Sequence, residues 1–478
     1  MNNIVNRLLS SEKKILVIGD VILDKYLFGD IQRLSPEAPV PIMTNTQSCY
    51  CLGGAANVCA NIRMLGGKVD IIGCIGTDTY AAQILELFVK YDLSPNYIFR
   101  SSEMTTTVKT RYISKMGQHL LRVDREQYYE YSNPGEVIQR VEKIIDKYDV
   151  IVFSDYAKGF LSERLIMELL LLAKKHKKVT IVDPKSASIE RYKNSYLIKP
   201  NYHEFIKFYG NKNVPLEYII HESEQILHTL GVNRLLVTCG DKGIVYLRKG
   251  MPPFCQTAYC RRISDVTGAG DIVTAVLAIG LSCGLSEEDS ICLANQCAGV
   301  TVEKAGTSCI TFEDLVKTLP YENKLLDNIT LLAKFRDYYK NKKIVFTNGC
   351  FDLLHSGHMD LIKKAKEYGD VLVVGINSDA SIQRIKGKNR PICDQHTRSV
   401  LMAIQSEVDW VVLFDSETPL ELIRQLKPDV LVKGDDYRKD QVIGHEFVES
   451  RGGEVVLIPH KYNVSTTDII SHIRLQGD

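Results

Sequence analysis

The chain has 478 residues, 45% of them hydrophobic and 24% charged, with a net charge of +1. That length suffices for two or three domains, and the near-neutral balance argues against a nucleic-acid binder, which carries a marked basic excess. No stretch approaches the ~20 apolar residues of a membrane helix, and the N-terminus lacks an apolar core followed by a small-residue cleavage site, so a cytoplasmic protein without membrane attachment is expected.

The apolar run 15–18 near the N-terminus is short and ends in Gly19 and Asp20, so it reads as a buried strand. It belongs to a series: KKILVIGD (13–20), VDIIGCIG (69–76), YDVIVFSDY (148–156), KVTIVD (178–183) and NRLLVTCG (233–240) each end in or near Gly or Asp. Helical patterns such as 161–177 lie between most of them. That alternation predicts a mostly parallel sheet covered by helices on both faces. Two segments, 26–43 and 105–122, alternate polar and apolar residues more strictly. They are expected as exposed antiparallel strands forming a lid. The pattern changes near Leu319-Pro320. Residues 321–342 are charged and helical in period, with no strand, and read as a linker plus a helix. A second doubly wound α/β domain then spans 343–478, with five strands. The first domain is thus expected to cover 1–320. The 13 cysteines include no C-x-x-C pair, so they read as small buried residues in a reducing compartment.

The strongest signal in the first domain is DVTGAGD (265–271), which precedes an apolar helical run. Gly268 and Gly270 let backbone N–H groups approach an anion, and the start of the helix adds its positive dipole end. Asp271 then stands where a phosphoryl group would be transferred and can accept the proton of an attacking hydroxyl. Taken alone, the segment also fits a Gly-rich turn with Asp271 as a capping residue. Further candidates follow strand ends, where ligands sit in open parallel sheets. These are Asp20 and Asp24, the segment Gly53-Gly54-Ala55-Ala56-Asn57, and Lys199-Pro200-Asn201 with Glu204. Asn and Glu at that last spacing can hold magnesium-bound water or phosphate. No GxxxxGK[ST] is present, which excludes a P-loop kinase.

The second domain carries GCFDLLHSGHMDLIKKA from Gly349. His355 and His358 fall at the start of an amphipathic helix after a strand, where two imidazoles can donate to phosphates. A metal pair is the other reading, but helical zinc ligands are spaced i, i+4 and no zincin-type Glu follows.

With these residues in view, the first 320 residues resemble the ribokinase, or PfkB, family of sugar kinases through GGAAN and TGAGD. The resemblance implies that Asp271 is the catalytic base and that Thr267, Gly268, Ala269 and Gly270 form the anion hole. It implies sugar contacts by Asp24, Gly54 and Asn57. ATP binding falls to Asn201, Glu204, Thr238 and Gly240, with Glu204 meeting Mg2+ through water. Residues 343–478 resemble the cytidylyltransferase-like nucleotidyltransferases through HSGH. Their implied nucleotide-binding residues are Asn348, Gly349, Phe351, Asp352, Asn377, Asp379, Lys386, Arg390, Lys433, Ser465, Thr466 and Thr467, with His355 and His358 catalytic. Ile470 stands where the broader family often has a basic residue.

The order of the two halves, with the opening GDVILDKYLFGDIQRLSPEAPVPI, is similar to that of bifunctional heptose 7-phosphate kinase/heptose 1-phosphate adenylyltransferases of Gram-negative bacteria. That resemblance implies heptose phosphates as substrates, ATP as co-substrate and ADP-heptose as product. The motifs alone also allow another phosphosugar or polyol, or a sugar-sensing regulator. A phosphorylated substrate calls for a cation in the sugar pocket. Lys109, Arg111, Arg122, Lys158 and Lys185 are candidates, and Lys185, after a strand in VDPK, is the favoured one. A homodimer through the lid strands is a further expectation.

Overall fold

The computed structural model describes residues 4–185, 188–210, 214–259, 267–303, 309–326, 331–435 and 438–459. The described chain separates into two compact units. One comprises residues from Ser11 to Thr318, and the other joins the residues up to Ser10 to those from Leu319 onward. The described residues Ile4–Ser10, expected in the first domain, therefore belong by their contacts to the second.

The larger unit contains thirteen strands among its described residues. They are β1 (Lys14–Gly19), β2 (Val21–Leu34), β3 (Pro41–Gly54), β4 (Lys68–Ile75), β5 (Ile98–Arg100), β6 (Thr107–Ser114) and β7 (His119–Arg125). The series continues with β8 (Val150–Ser154), β9 (Val179–Asp183), β10 (Leu197–Ile198), β11 (Arg234–Thr238), β12 (Ile244–Arg248) and β13 (Phe254–Gln256). Nine of them form one sheet in the order β13-β12-β11-β10-β9-β8-β1-β4-β5. Pairings from β11 through to β5 are parallel, and β12 and β13 extend one edge antiparallel. The centre, β1 and β8, is buried almost end to end, as a strand covered on both faces must be. Leu16, Ile18, Ile151 and Phe153 join the helical residues Leu165, Leu169 and Phe205 in one apolar core.

The remaining four strands form the lid, in the order β3-β2-β6-β7. β2 pairs antiparallel with β3, and β6 with β7, as the alternation implies. The central pair, β2 with β6, is instead parallel, a register that alternation alone does not encode. Chain direction changes sharply where β3 ends. Gly54 has φ +58°, and a Cβ there would meet the Asp20 carbonyl oxygen at 2.5 Å. The helix Ala55–Met64 starts directly after it and packs against the helix Ala269–Ser282.

The smaller unit holds one all-parallel sheet, built from β14 (Leu325–Leu326), β15 (Ile344–Gly349), β16 (Val371–Asn377), β17 (Trp410–Phe414), β18 (Val430–Gly434) and β19 (Glu454–Ile458). Their order is β14-β17-β16-β15-β18-β19. The sixth strand, β14, corrects the expectation of a strandless segment over 321–342. Two residues are too few for any periodicity to register. The opening helix Ile4–Ser10 packs beside the helix Leu331–Tyr338. Ile4 N donates to Asn323 Oδ1 at 2.8 Å and Asn6 Nδ2 to the Leu325 carbonyl at 3.2 Å.

Candidate active sites

In the larger unit the site grows from the carboxyl ends of the central strands, as the crevice rule for open α/β sheets requires. Gly268, with φ +83°, turns the chain into the helix Ala269–Ser282, whose first amides have no intrahelical acceptor, an arrangement able to receive an anion. Asp271 lies in that first turn, buried. Asn57 Nδ2, from the helix Ala55–Met64, donates to its Oδ2 at 2.7 Å, and the Tyr156 hydroxyl donates to its Oδ1 at 2.8 Å. Burial, with the charge of Asp183, raises Asp271 to about 6, against the two hydrogen bonds and Lys199. It is therefore largely ionised at neutral pH while remaining a stronger base than a free aspartate.

Tyr156 is held in place by Asp20 at the end of β1. The Asp20 carboxylate accepts from the backbone N–H groups of Tyr156, Lys158 and Phe160 at 2.8, 3.1 and 3.3 Å. Asp20 thus builds the loop after β8. Asp24, on β2, forms a buried ion pair with Arg111 at 2.6 Å, and burial still outweighs that pair in raising its pKa. Asp183 is partnered by Lys199 at 3.1 Å and by the Thr274 hydroxyl at 2.9 Å.

Asn201 and Glu204 form a capping box at the start of the helix Tyr202–Phe208, with bonds of 2.8 and 2.9 Å. The remaining Glu204 oxygen accepts from Lys185 at 2.5 Å. Lys185 is thus committed to Glu204, which differs from its favoured role as a sugar-phosphate cation. Asn201, Thr238, Gly240, Ala269 and Gly270 line a cavity of about 610 Å³, a volume suited to a nucleotide-sized ligand. Asn295 and Gly299 line it too. They sit in the helix Glu287–Val302 and carried no motif that could have singled them out.

In the smaller unit β15 leads through a loop into the helix Ser356–Lys366, with His355 at its N-cap. The His355 and His358 rings stack at 3.8 Å between centroids, and Phe351, at φ +49°, packs against His358 at 5.2 Å. Asp352 is buried and pairs with Arg390 at 2.6 Å, while its other oxygen accepts from Ile392 N and Cys393 N at 2.7 and 2.9 Å. Lys433 donates to the Asn348 carbonyl at 2.8 Å, fixing the end of β15 to β18. Asn377 donates to Ser381 Oγ at 3.0 Å. Lys386 is exposed at the end of the helix Asp379–Lys386. Ser465, Thr466 and Thr467 lie outside the described residues.

Sequence reasoning missed Arg398, which is fully buried. Its guanidinium donates to the Cys350 carbonyl at 2.7 Å, the Cys393 carbonyl at 2.9 Å and Asp379 at 2.7 Å. One planar fork thereby ties the loop before HSGH to two other segments of the site. A lone Arg in a helical pattern reads as surface, so nothing local could have marked it. Among the described residues no group of three or more His, Cys, Asp or Glu could hold a metal ion.

An Asp at the head of a helix beside a nucleotide-sized cavity, and two imidazoles at the head of another, define a carbohydrate kinase joined to a nucleotidyltransferase. The comparisons agree. Residues 12–312 match the pfkB family carbohydrate kinase model, and residues 346–472 match the cytidylyltransferase-like model. The chain is 38% identical to the bifunctional protein HldE of Alcanivorax borkumensis over 97% of its own length and 98% of that protein. Against HldE of Haemophilus influenzae the identity is 36%, covering 98% of both. The chain belongs to the family of these bifunctional HldE proteins. Among solved structures, Arabidopsis thaliana ribokinase, complexed with ribose and ATP, shares the fold of the larger unit. It aligns with a TM-score of 0.53 at 20% identity, covering 64% of this chain and 99% of that one.

Proposed function

We propose that the chain catalyses two steps of ADP-heptose biosynthesis: phosphorylation of heptose 7-phosphate at C1 and adenylyl transfer to heptose 1-phosphate. The observation that carries the first step is the Asp271 carboxylate, held by Asn57 and Tyr156 at the head of the helix Ala269–Ser282. Asp271 accepts the proton of the anomeric hydroxyl as its oxygen attacks the γ-phosphorus of ATP. The bond from that phosphorus to the β,γ-bridging oxygen breaks and ADP leaves. Amides of Gly268, Ala269 and Gly270 meet the transferring phosphoryl group.

The acceptor's ring is oriented by Asp24 and Asn57. Magnesium arrives with ATP as part of the substrate, since Mg2+ is commonly held by phosphates, waters and one or two carboxylates rather than by a protein cage. The Glu204 carboxylate, already engaged by Lys185 and the Asn201 amide, suits contact through water rather than direct ligation.

In the second step a sugar 1-phosphate oxygen attacks the α-phosphorus of ATP, and pyrophosphate leaves. His355 and His358, at a helix N-terminus, stabilise the charge that develops there, and Lys433 and Arg390 flank the site. No covalent nucleophile is needed. A phosphatase acting on the 7-phosphate must intervene, because the first product bears two phosphates and the second acceptor one. We place the reactions in the cytoplasm, where ATP is available. The lid, with Leu34, Leu121 and Val123 exposed, is proposed as a homodimer surface, and light scattering showing a concentration-independent monomer would remove it. The functional test is mass spectrometry of products from heptose 7-phosphate and ATP. Bisphosphate is expected with the protein alone, and ADP-heptose only when a 7-phosphatase is added. ADP-heptose formed without the phosphatase, or no phosphorylated product at all, would overturn the reading.

A further inference from the structure

Two lysines flank the ring of Tyr156, and their circumstances differ. The Lys185 ammonium lies 5.6 Å from the ring centroid and is neutralised by Glu204. The Lys109 ammonium lies 5.1 Å from the same centroid, yet among the described residues no carboxylate pairs with it. The lid explains why. β6 runs between β2 and β7, and the register sets Lys109 opposite Asp24 on one side and Asp124 on the other. Both carboxylates are engaged elsewhere: Asp24 with Arg111 at 2.6 Å and Asp124 with Arg122 at 2.9 Å.

The charges around Lys109 make its state costly. Lys158 and Arg122 add like charge, and burial, the leading effect, acts with them to lower its pKa against Asp24 and Asp124. A half-buried ammonium among cations, without a paired anion, is an arrangement that proteins avoid unless a ligand supplies the opposite charge. A phosphate dianion would do so at Lys109, since the neighbouring Arg122 and Lys158 are already paired with Asp124 and Glu126 at 2.9 and 2.6 Å. The reacting hydroxyl must sit at Asp271, which the Tyr156 hydroxyl touches, whereas Lys109 faces the ring of the same side chain. One side chain thus stands between the ammonium and the base: the hydroxyl of Tyr156 bonds Asp271 and its ring face lies against Lys109.

We propose that Lys109 is the specificity-determining residue of the kinase unit, binding a phosphate on the acceptor sugar remote from the hydroxyl that reacts. This rests on the reading that the unit phosphorylates a sugar phosphate, and it replaces Lys185, the cation favoured from sequence. The test uses the full-length protein and Lys109→Met, which keeps the aliphatic stem over the Tyr156 ring. ADP release is followed with heptose 7-phosphate and with the same heptose lacking the phosphate. Loss of one charged contact should raise KM for heptose 7-phosphate about 10–100-fold, with kcat nearly unchanged. The kcat/KM for the unphosphorylated sugar should not fall, and Lys109→Arg should restore part of the KM. An unchanged KM for the sugar phosphate would overturn the proposal, as would an equal loss on both sugars, which marks a structural role. Wild-type turnover of heptose 7-phosphate tests the functional reading separately: its absence sinks that reading, and its presence with an unaffected variant sinks only the lysine.

Discussion

At the head of the helix Ala269–Ser282 stands a buried carboxylate, whereas the corresponding head in the smaller unit, Ser356–Lys366, has two imidazoles nearby and no acid in its first turn. The nucleophiles of the proposed reactions account for the difference. A sugar hydroxyl must lose a proton to attack phosphorus, so the first site needs a base. A sugar 1-phosphate is already anionic near neutral pH, its second pKa being about 6 by analogy with phosphorylated side chains, so the second site needs only donors and positive charge. Under that proposal helix N-termini serve anions in both, and the side chain added to each sets the proton chemistry.

The largest effect expected is from Asp271→Asn. It removes the base while keeping size and burial, and should lower the kinase rate by about 10²–10⁴-fold. Pyrophosphate release by adenylyl transfer should stay intact in the same preparation. The mirror experiment, His358→Ala, should cost adenylyl transfer about 10²–10³-fold and leave ADP release from the kinase step untouched. If either change in folded protein abolished both activities, two separate chemistries would be untenable.

The third effect is smaller and sharpens the contrast through pH. With Asp271 at about 6, kinase turnover should fall roughly tenfold per pH unit below that value, as the base becomes protonated. The Tyr156 hydroxyl stabilises the ionised form, so Tyr156→Phe should move this limb upward by about one unit. The loss would be near tenfold below pH 6 and slight above pH 8. Adenylyl transfer should show no such movement. A kinase profile that kept its limb in Tyr156→Phe would show that the hydrogen bond does not tune the base.

These experiments also mark what could be read from the chain. The positions of Asp271, Asn57, His355 and His358 at helix starts were legible because glycine-rich turns and helix starts leave short-range spacing patterns. The alternation of strands and helices likewise carried the two α/β sheets. Tyr156 and Arg398 were not legible. Tyr156 meets Asp271 across 115 positions of chain, and Arg398 takes its role from carbonyls of Cys350 and Cys393. The surroundings of Lys185 were hidden for the same reason. Its place after a strand is local, but its Glu204 partner is a fact of packing. Lys109 was one of five candidate cations in the sequence, and only the pairing of its neighbours sets it apart.

The placement of the opening helix offers the smallest effect and a test of where the units divide. Ile4 N donates to the buried Asn323 side chain, and Asn323→Ala would leave that amide without its acceptor, at a cost of about 1–3 kcal/mol. The chain has one tryptophan, Trp410. It is buried in the smaller unit against Phe335 and Tyr339, so its fluorescence reports on that unit alone. In Asn323→Ala the Trp410 transition should move to lower temperature, while the temperature at which kinase activity is lost should not. The two probes separate because the amide and its acceptor both belong to the smaller unit, although the amide lies ahead of the whole kinase in the chain. A Trp410 transition that stayed in place would mean that the first residues contribute nothing to the fold they pack against.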